Sequence, residues 1–250
     1  MSILQRKIPY DPLADVALPG VSPLDPAQWL IVDEAYAGQV TEKARVISMH
    51  GRKVVNADAQ SDAAAKELLA EVLRHLVTDH NGFSKAGDSV TTPDGRHVDC
   101  RGDPLLVLSQ LVQEDFAIMQ RPEGSDEHIL TAALLAFPAS WRLEEKFMRP
   151  LTDIHVPVKS YDANMAKRVQ RLFDGVRVGQ PLWRYNALWY QDPELYQPRS
   201  QDERRPMSGK TAPFMRTERQ TLFRLPLSQA VVFGIHTYVV RAEDLELANQ

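Results

Sequence analysis

The chain has 250 residues, of which 44% are hydrophobic and 25% charged, and its formal net charge is −4. This length and composition fit an ordinary globular protein of one large domain or two small ones. There is no basic excess to indicate a nucleic-acid partner, and no apolar run approaches the ~20 residues that span a bilayer. We therefore expect neither nucleic acid nor a membrane among its partners.

The number of cysteines excludes further kinds of structural and cofactor site. Cys100 is the single cysteine, so this chain alone cannot build an intrachain disulfide, a cysteine-ligated iron–sulfur cluster or a zinc ribbon. The N-terminal stretch "MSILQRKIPYDPLAD" has no apolar segment before a cleavage site, so no secretion signal is recognised. We expect a cytoplasmic protein.

Residues 1–100 are predicted to form an extension that packs on a later core. Residues 1–30 hold five prolines and predict an irregular segment. Residues 61–80 predict the clearest helix, because their apolar positions form a single stripe. Residues 102–114 predict a second helix, with Asp103 as its N-cap.

Residues 101–242 are predicted to form the core domain, followed by a tail over 243–250. Its elements are two strands, two short helices and three further strands, with a long loop over 192–213. Hairpin-type connections make the sheet antiparallel, and this order of elements is that of a PAS domain. The predicted fold class is α+β: a PAS-like five-stranded antiparallel sheet with helices over one face and a ligand cavity between them. The strands are 114–120, 128–137, 181–191, 216–226 and 230–240, and the helices are 140–149 and 162–175.

His155 is an ionisable residue in the apolar stretch "TDIHVPVKSY" (152–161), and Pro157 argues against a regular helix there. One interpretation is a half-buried histidine whose ring nitrogen bonds a backbone carbonyl. The other is an axial ligand, since neutral imidazole commonly binds metals and haem iron. The residues alone favour the first interpretation.

The strand "RTERQTLFRLP" (216–226) carries charge on both faces, because strand alternation places Glu218 and Arg224 on one side and Arg219 on the other. Such a strand is either an exposed edge, where charge blocks aggregation, or the wall of a polar cavity. On the last strand, His236 and Tyr238 share a face with Gly234, which would open space beside a ligand or a neighbouring backbone.

The strand over 181–191 is dense in aromatic residues. Alternation places Trp183 and Tyr185 on one face and Arg184 on the other. The chain has no glycine-rich phosphate loop and no GxGxxG after a strand, so a nucleotide site is not expected here.

Six stretches taken together resemble the haem-binding α subunit of haem-dependent oxidative N-demethylase and its uncharacterised relatives. The match runs in order over residues 20–242, and "IHVPV" and "RxERQxLxRLP" are its most specific signals. The stretches are "QEDFAIM" (113–119), "FPASWRLEEKF" (137–147), "LTDIHVPV" (151–158), "RYN" (184–186), "RTERQTLFRLP" (216–226) and "FGIHTYVV" (233–240).

The resemblance implies a PAS-like domain that binds haem b and an oxygen-dependent monooxygenase activity that demethylates a small secondary amine such as dimethylamine. It also implies that electrons come from NADPH through FMN and iron–sulfur centres on partner subunits. The single cysteine and the missing nucleotide loop agree with an external electron supply.

The resemblance assigns roles to individual residues. It favours His155 as the proximal iron ligand, and Glu218 as the carboxylate that holds a protonated amine, since a buried cation needs a paired charge. Arg184 or Arg224 would polarise bound oxygen or hold a haem propionate.

His236 and Tyr238 are further candidate cofactor contacts. The family pattern usually has arginine where this sequence has His236, so local polarity there is expected to differ. The alternative function is a haem-PAS module that binds a gas or another ligand and signals without catalysis. The 250 residues show no output domain, which favours the enzyme.

Overall fold

The computed structural model describes residues 2–14, 20–155, 163–200, 203 and 212–247. Within these residues the strands form one large antiparallel sheet and one small one. In chain order the strands are β1 (Ser22–Pro23), β2 (Val55–Ala57), β3 (Ser84–Ala86), β4 (Ser89–Thr91), β5 (His97–Asp99), β6 (Asp115–Gln120), β7 (Ile129–Leu134), β8 (Leu182–Tyr190), β9 (Phe214–Arg224) and β10 (Val231–Arg241).

The large sheet has seven strands in the order β1-β8-β9-β10-β6-β7-β2. Its five central strands are the five predicted ones, so the α+β class is confirmed. The predicted number of strands is wrong, because β1 and β2 from the first 100 residues add an edge strand on each side. Strands of two and three residues are too short to show a period-2 pattern in the sequence.

Helices account for most of the remaining regular structure in the described residues. The predicted helices over 61–80, 102–114 and 162–175 are confirmed, and the one over 140–149 shrinks to four residues. The helices are α1 (Tyr36–His50), α2 (Asp62–Asp79), α3 (Pro104–Leu111), α4 (Leu143–Lys146), α5 (Leu151–His155), α6 (Ala163–Gly175) and α7 (Ala242–Leu247).

Helix α1 is not among the predicted helices, and its buried face explains why. Gln39 and Lys43 are fully buried on this face beside Val40 and Val46. A polar inward face hides the apolar stripe by which helices are recognised in a sequence.

Helices cover the large sheet on both faces, which corrects the predicted arrangement of helices over one face. On the N-terminal face, α1, α2 and α3 pack on an apolar cluster with Trp29 at its centre, whose ring stacks on Phe223 at 4.1 Å. On the crossover face, α4, α5 and α6 pack through Leu143, Leu151 and Phe173. The first 100 residues therefore supply two edge strands and most of one helical layer.

The small sheet, in the order β3-β4-β5, lies in the chain between α2 and α3. Val90 and Val98 pair across it and are buried in the N-terminal core. None of the described helices combines the length and the apolarity that a bilayer crossing demands.

Gly234 on β10 is a place where the fold tolerates no side chain. A Cβ at this position would lie 2.6 Å from Thr221 Oγ1 on β9 and 3.5 Å from Phe116 on β6. The space predicted beside Gly234 is thus filled by side chains of the two neighbouring strands, Thr221 of β9 and Phe116 of β6.

We expect Gly234→Ala to lower the free energy of unfolding by about 1–3 kcal/mol, because an added methyl group in a packed core forces its neighbours to shift. Thr221 Oγ1 is buried and has no partner among the described residues. Thr221→Ala combined with Gly234→Ala should therefore recover part of the loss, as measured by chemical denaturation of both single variants and the double variant. Additive effects of the two substitutions would contradict this packing explanation.

Candidate functional site

An internal cavity of about 340 Å³ lies between the crossover face of the sheet and helices α4–α6. This volume is within the range of small-molecule sites. Most of the lining is apolar, with a polar patch contributed by β8 and β9. The apolar lining residues are Ala117, Met119, Leu130, Ala139, Trp141, Leu151, Ile154, Val169, Leu172, Phe173, Leu222, Phe233 and Ile235, and the polar ones are Lys146, Arg184, Asn186, Glu218 and Gln220.

Among the described residues, Glu218 is the only carboxylate in this lining, and it is 4% exposed. One of its oxygens, Oε2, accepts hydrogen bonds from Asn186 Nδ2 at 2.9 Å and Gln220 Nε2 at 3.0 Å. Asn186 reaches it because the two residues are paired across β8 and β9. The second oxygen, Oε1, is buried and receives no hydrogen bond from the described part of the chain.

Arg216 is the charged residue closest to the free oxygen of Glu218, with Nη2 at 3.8 Å from Oε1. Its guanidinium also donates to backbone carbonyls, from Nη1 to Leu195 at 2.8 Å and from Nη2 to Phe137 at 2.7 Å. The guanidinium therefore ties β9 to the loops around it, and it approaches Glu218 only at the limit of an ion pair.

Two further cations reach the cavity, Arg184 on β8 and Lys146 at the end of α4. Burial lowers the pKa of Lys146 to about 8, although Glu145 and Glu218 partly oppose the shift. Burial also lowers the pKa of Arg184 below its ordinary value, and Glu218 again opposes. The Lys146 ammonium lies 4.8 Å from the centroid of the Trp141 ring. Lys146 is absent from the predicted site, although it belongs to the quoted stretch "FPASWRLEEKF".

His155 is the last residue of α5, so its backbone is helical, which differs from the irregular segment expected from Pro157. Its side chain and residues 156–162 lie outside the described part of the structure. On the same helix, Leu151 and Ile154 line the cavity. The predicted proximal ligand thus belongs to an element that forms the cavity wall.

Arg224 lies on the same face of β9 as Glu218, as strand alternation predicts, but it is not part of the cavity lining. Its Nε donates to the carbonyl of Val176 at 2.5 Å, and Nη2 donates to that of Phe173 at 2.6 Å. Arg224 therefore satisfies carbonyls at the C-terminal end of α6, where a cation is favourable. These contacts hold Arg224 at the end of α6 and not in the cavity, where its expected catalytic role would place it.

His236 and Tyr238 lie on the N-terminal face of β10, on the opposite side of the sheet from the cavity. His236 is 1% exposed, with Nδ1 at 3.2 Å from Glu114 Oε1 and Nε2 at 3.2 Å from Asp33 Oδ2. Ionised carboxylates facing both ring nitrogens favour hydrogen on each nitrogen, which is the imidazolium form. This position departs from the expected cofactor contact, because neither nitrogen is free to bind a metal.

The electrostatics of this buried triad agree with its geometry. Burial works against a charged His236, but the bonds to Asp33 and Glu114 outweigh burial and raise its pKa above the ordinary value. Burial raises the pKa of Tyr238 as well, and its ring packs on His236 with centroids 4.6 Å apart. Tyr238 is therefore part of a structural cluster with His236.

The parity of β8, β9 and β10 was correctly predicted, but parity does not say which face meets a cavity. Glu218 and Arg184 face it, whereas on the opposite side His236 faces Asp33 and Glu114, and Tyr238 packs on Tyr10. Within the ranges described above, no group of three or more histidine, cysteine, aspartate or glutamate residues is placed to hold a metal ion. A haem iron does not need such a group, since the protein supplies one or two axial ligands.

Fold and cavity together define an α+β protein with a mostly apolar cavity that carries charges of both signs. A family model described as haem-dependent oxidative N-demethylase, alpha subunit-like, matches residues 20–250. The chain belongs to this family. The family name implies haem dependence, an oxidative demethylase type of enzyme and a subunit of a larger assembly.

The His236 triad makes a prediction for stability against pH. Because the folded-state pKa of His236 is raised above 6.5, its contribution is complete below pH 6.5 and is lost as pH rises through the folded value. The pKa values of Asp33 and Glu114 are lowered from 3.8 and 4.5, so their contribution is lost as pH falls below that range. The triad should stabilise most between pH 4.5 and 6.5.

We expect His236→Gln to cost about 3–5 kcal/mol near pH 6, because it leaves two buried carboxylates without a cation. The difference from the wild type should shrink as pH is raised toward 9. Urea unfolding at several pH values measures it, with the exposed His97→Gln as the matched control. A cost that is the same at every pH would show that His236 is neutral in the fold.

Proposed function

We propose that this chain is the haem-binding subunit of an oxidative N-demethylase that acts on a small secondary amine such as dimethylamine. The observation that carries the proposal is the free oxygen of Glu218. A buried acceptor without a donor is costly and rare, and a ligand that brings an N–H donor removes the cost. A protonated amine brings both that donor and a compensating charge.

The residues present fit a haem by their chemistry. The cavity is walled mainly by aliphatic and aromatic side chains, which suit a flat apolar macrocycle. Arg184 Nε is buried there without a partner among the described residues, which leaves a donor for the cofactor. We assign the iron ligand to His155, because Leu151 and Ile154 bring its helix to the wall of the cavity.

When bound, the haem supplies oxygen activation at its iron. The residues of this chain hold and orient the amine. Glu218 accepts the ammonium hydrogen on Oε1, while Asn186 and Gln220 fix the carboxylate through Oε2. The surrounding apolar side chains exclude water, which strengthens the charge-assisted bond. Arg184 contacts the cofactor. Arg224 has no catalytic role in this proposal, because it binds carbonyls at the end of α6 and is not part of the lining.

The order of the elements supports a PAS-like core within the larger sheet. The five long strands follow the sequence two strands, helical crossover, three strands, and the cavity lies between the sheet and the crossover helices. With one cysteine in the chain, an iron–sulfur electron supply has to come from a partner. We propose partner subunits that carry FMN, iron–sulfur and NADPH sites.

We expect the purified protein to bind one b-type haem per chain. His155→Ala should abolish haem binding or change the spin and ligation state of the iron, because it removes the axial nitrogen. Absorbance titration and circular dichroism measure haem content and folding, with His97→Ala as the control. A folded wild type without a Soret band after reconstitution would refute the proposal, and an unaltered spectrum in His155→Ala would refute this ligand.

We expect Glu218→Gln to weaken amine binding by about 2–3 kcal/mol, the cost of losing a charge-assisted bond. This corresponds to roughly 30- to 150-fold in Kd, read from the amine-induced shift of the ferric Soret band. Haem content should not change, and the exposed Glu123→Gln should titrate like the wild type. Equal affinity in Glu218→Gln would remove Glu218 from the amine site, and a wild type that ignores amines would favour the sensor function.

A further inference from the structure

The cavity holds more positive charge than its own carboxylate neutralises. Lys146 and Arg184 both line it, and both lie in the field of Glu218, which raises the pKa of each against the effect of burial. Arg216 also approaches Glu218, at 3.8 Å. Among the described residues of the lining, one carboxylate thus faces two cations, with Arg216 and Glu145 close by outside the lining.

In the described part of the chain the two cations of the lining are not held in close ion pairs, although Glu145 and Glu218 act on Lys146 electrostatically. Within the described ranges, Lys146 and Arg184 form neither an ion pair within 4.0 Å nor a side-chain hydrogen bond, and Arg184 Nε is fully buried. Lys146 rests on the face of Trp141, a contact that stabilises an ammonium without neutralising it. A half-buried cation in an apolar cavity is costly unless an anion accompanies it.

We propose that Lys146 and Arg184 form a carboxylate subsite, in the same cavity where Glu218 receives the amine. Arg184 offers planar donors and Lys146 a compact charge, a combination that holds a carboxylate from two directions. The subsite rests on the proposed function in one respect: it lies in the cavity to which that function assigns the amine. The carboxylate has two possible sources, a propionate of the haem or the acid group of an N-methylated amino acid.

The lowered pKa of Lys146, about 8, agrees with this assignment. Its cavity penalises the ammonium form while the subsite lacks an anion. A bound carboxylate would oppose this penalty, as Glu145 and Glu218 do in part. Binding of an anion at the subsite is therefore expected to be favourable, because it offsets the cost of the buried ammonium.

The experiment compares the wild type with Lys146→Met, which keeps the apolar stem, and Lys146→Arg, which keeps the charge. The control is Lys66→Met, since Lys66 is an exposed lysine of α2. Haem and haem dimethyl ester are titrated into haem-free protein by absorbance. Dimethylamine and N-methylglycine are then titrated into the haem-loaded protein by the shift of the Soret band.

If the subsite holds a propionate, the wild type should prefer haem to its dimethyl ester by about tenfold or more, and Lys146→Met should lose that preference. If it holds a substrate acid group, the wild type should prefer N-methylglycine to dimethylamine, and this preference should vanish in Lys146→Met. Lys146→Arg should keep whichever preference is found, and Lys66→Met should match the wild type. No preference in either comparison overturns the subsite and leaves the proposed function standing.

A third comparison separates failure of the proposed function from failure of the subsite. If the wild type binds no haem, the proposed function fails, and hexanoate against hexanamide in a thermal-shift titration of haem-free protein decides the subsite. Stronger stabilisation by hexanoate that disappears in Lys146→Met supports the subsite. Equal stabilisation by both probes overturns it.

Discussion

A charge buried in the interior needs a partner, and this requirement organises both faces of the central sheet. Because helices cover both faces, Arg216, Glu218 and Arg219 of β9 and His236 of β10 lie in the interior instead of at a solvated edge. On the N-terminal face the partners are protein groups, as for His236 between Asp33 and Glu114. On the crossover face the partners are incomplete, and that is where the ligand cavity lies.

On the N-terminal face, buried polar groups are hydrogen-bonded to one another. Gln39 and Gln5 both donate to the carbonyl of Thr237, and Gln113 joins Asp33 to Gln39. These bonds hold the N-terminal segment against β10 through polar contacts in the interior. Position 236 needs a cation to serve two acids, and a protonated histidine meets that need. Histidine makes the arrangement depend on pH.

In the proposed function, the crossover face uses the same chemistry for binding. Within the described ranges, Glu218 has one oxygen fixed by two amides and one without a hydrogen bond, and the nearby Lys146 and Arg184 are in no ion pair within 4.0 Å. An apolar cavity makes each of these interactions stronger when it is formed and more costly when it is not. A ligand that carries both a cation and an anion, or an amine bound beside a cofactor with carboxylates, matches this set of groups.

The sequence by itself determined the α+β class, the five long strands, three helices, the parity of β8, β9 and β10 and the family, because period-2 and helical patterns and the family motifs are local. It did not determine the edge strands β1 and β2, which are too short to carry a pattern, or helix α1, whose inward face carries Gln39 and Lys43. Only the tertiary structure decided that Glu218 faces a cavity while His236 faces a carboxylate pair. Alternation separates two faces of a strand, and the helices packed on each face decide what those faces meet.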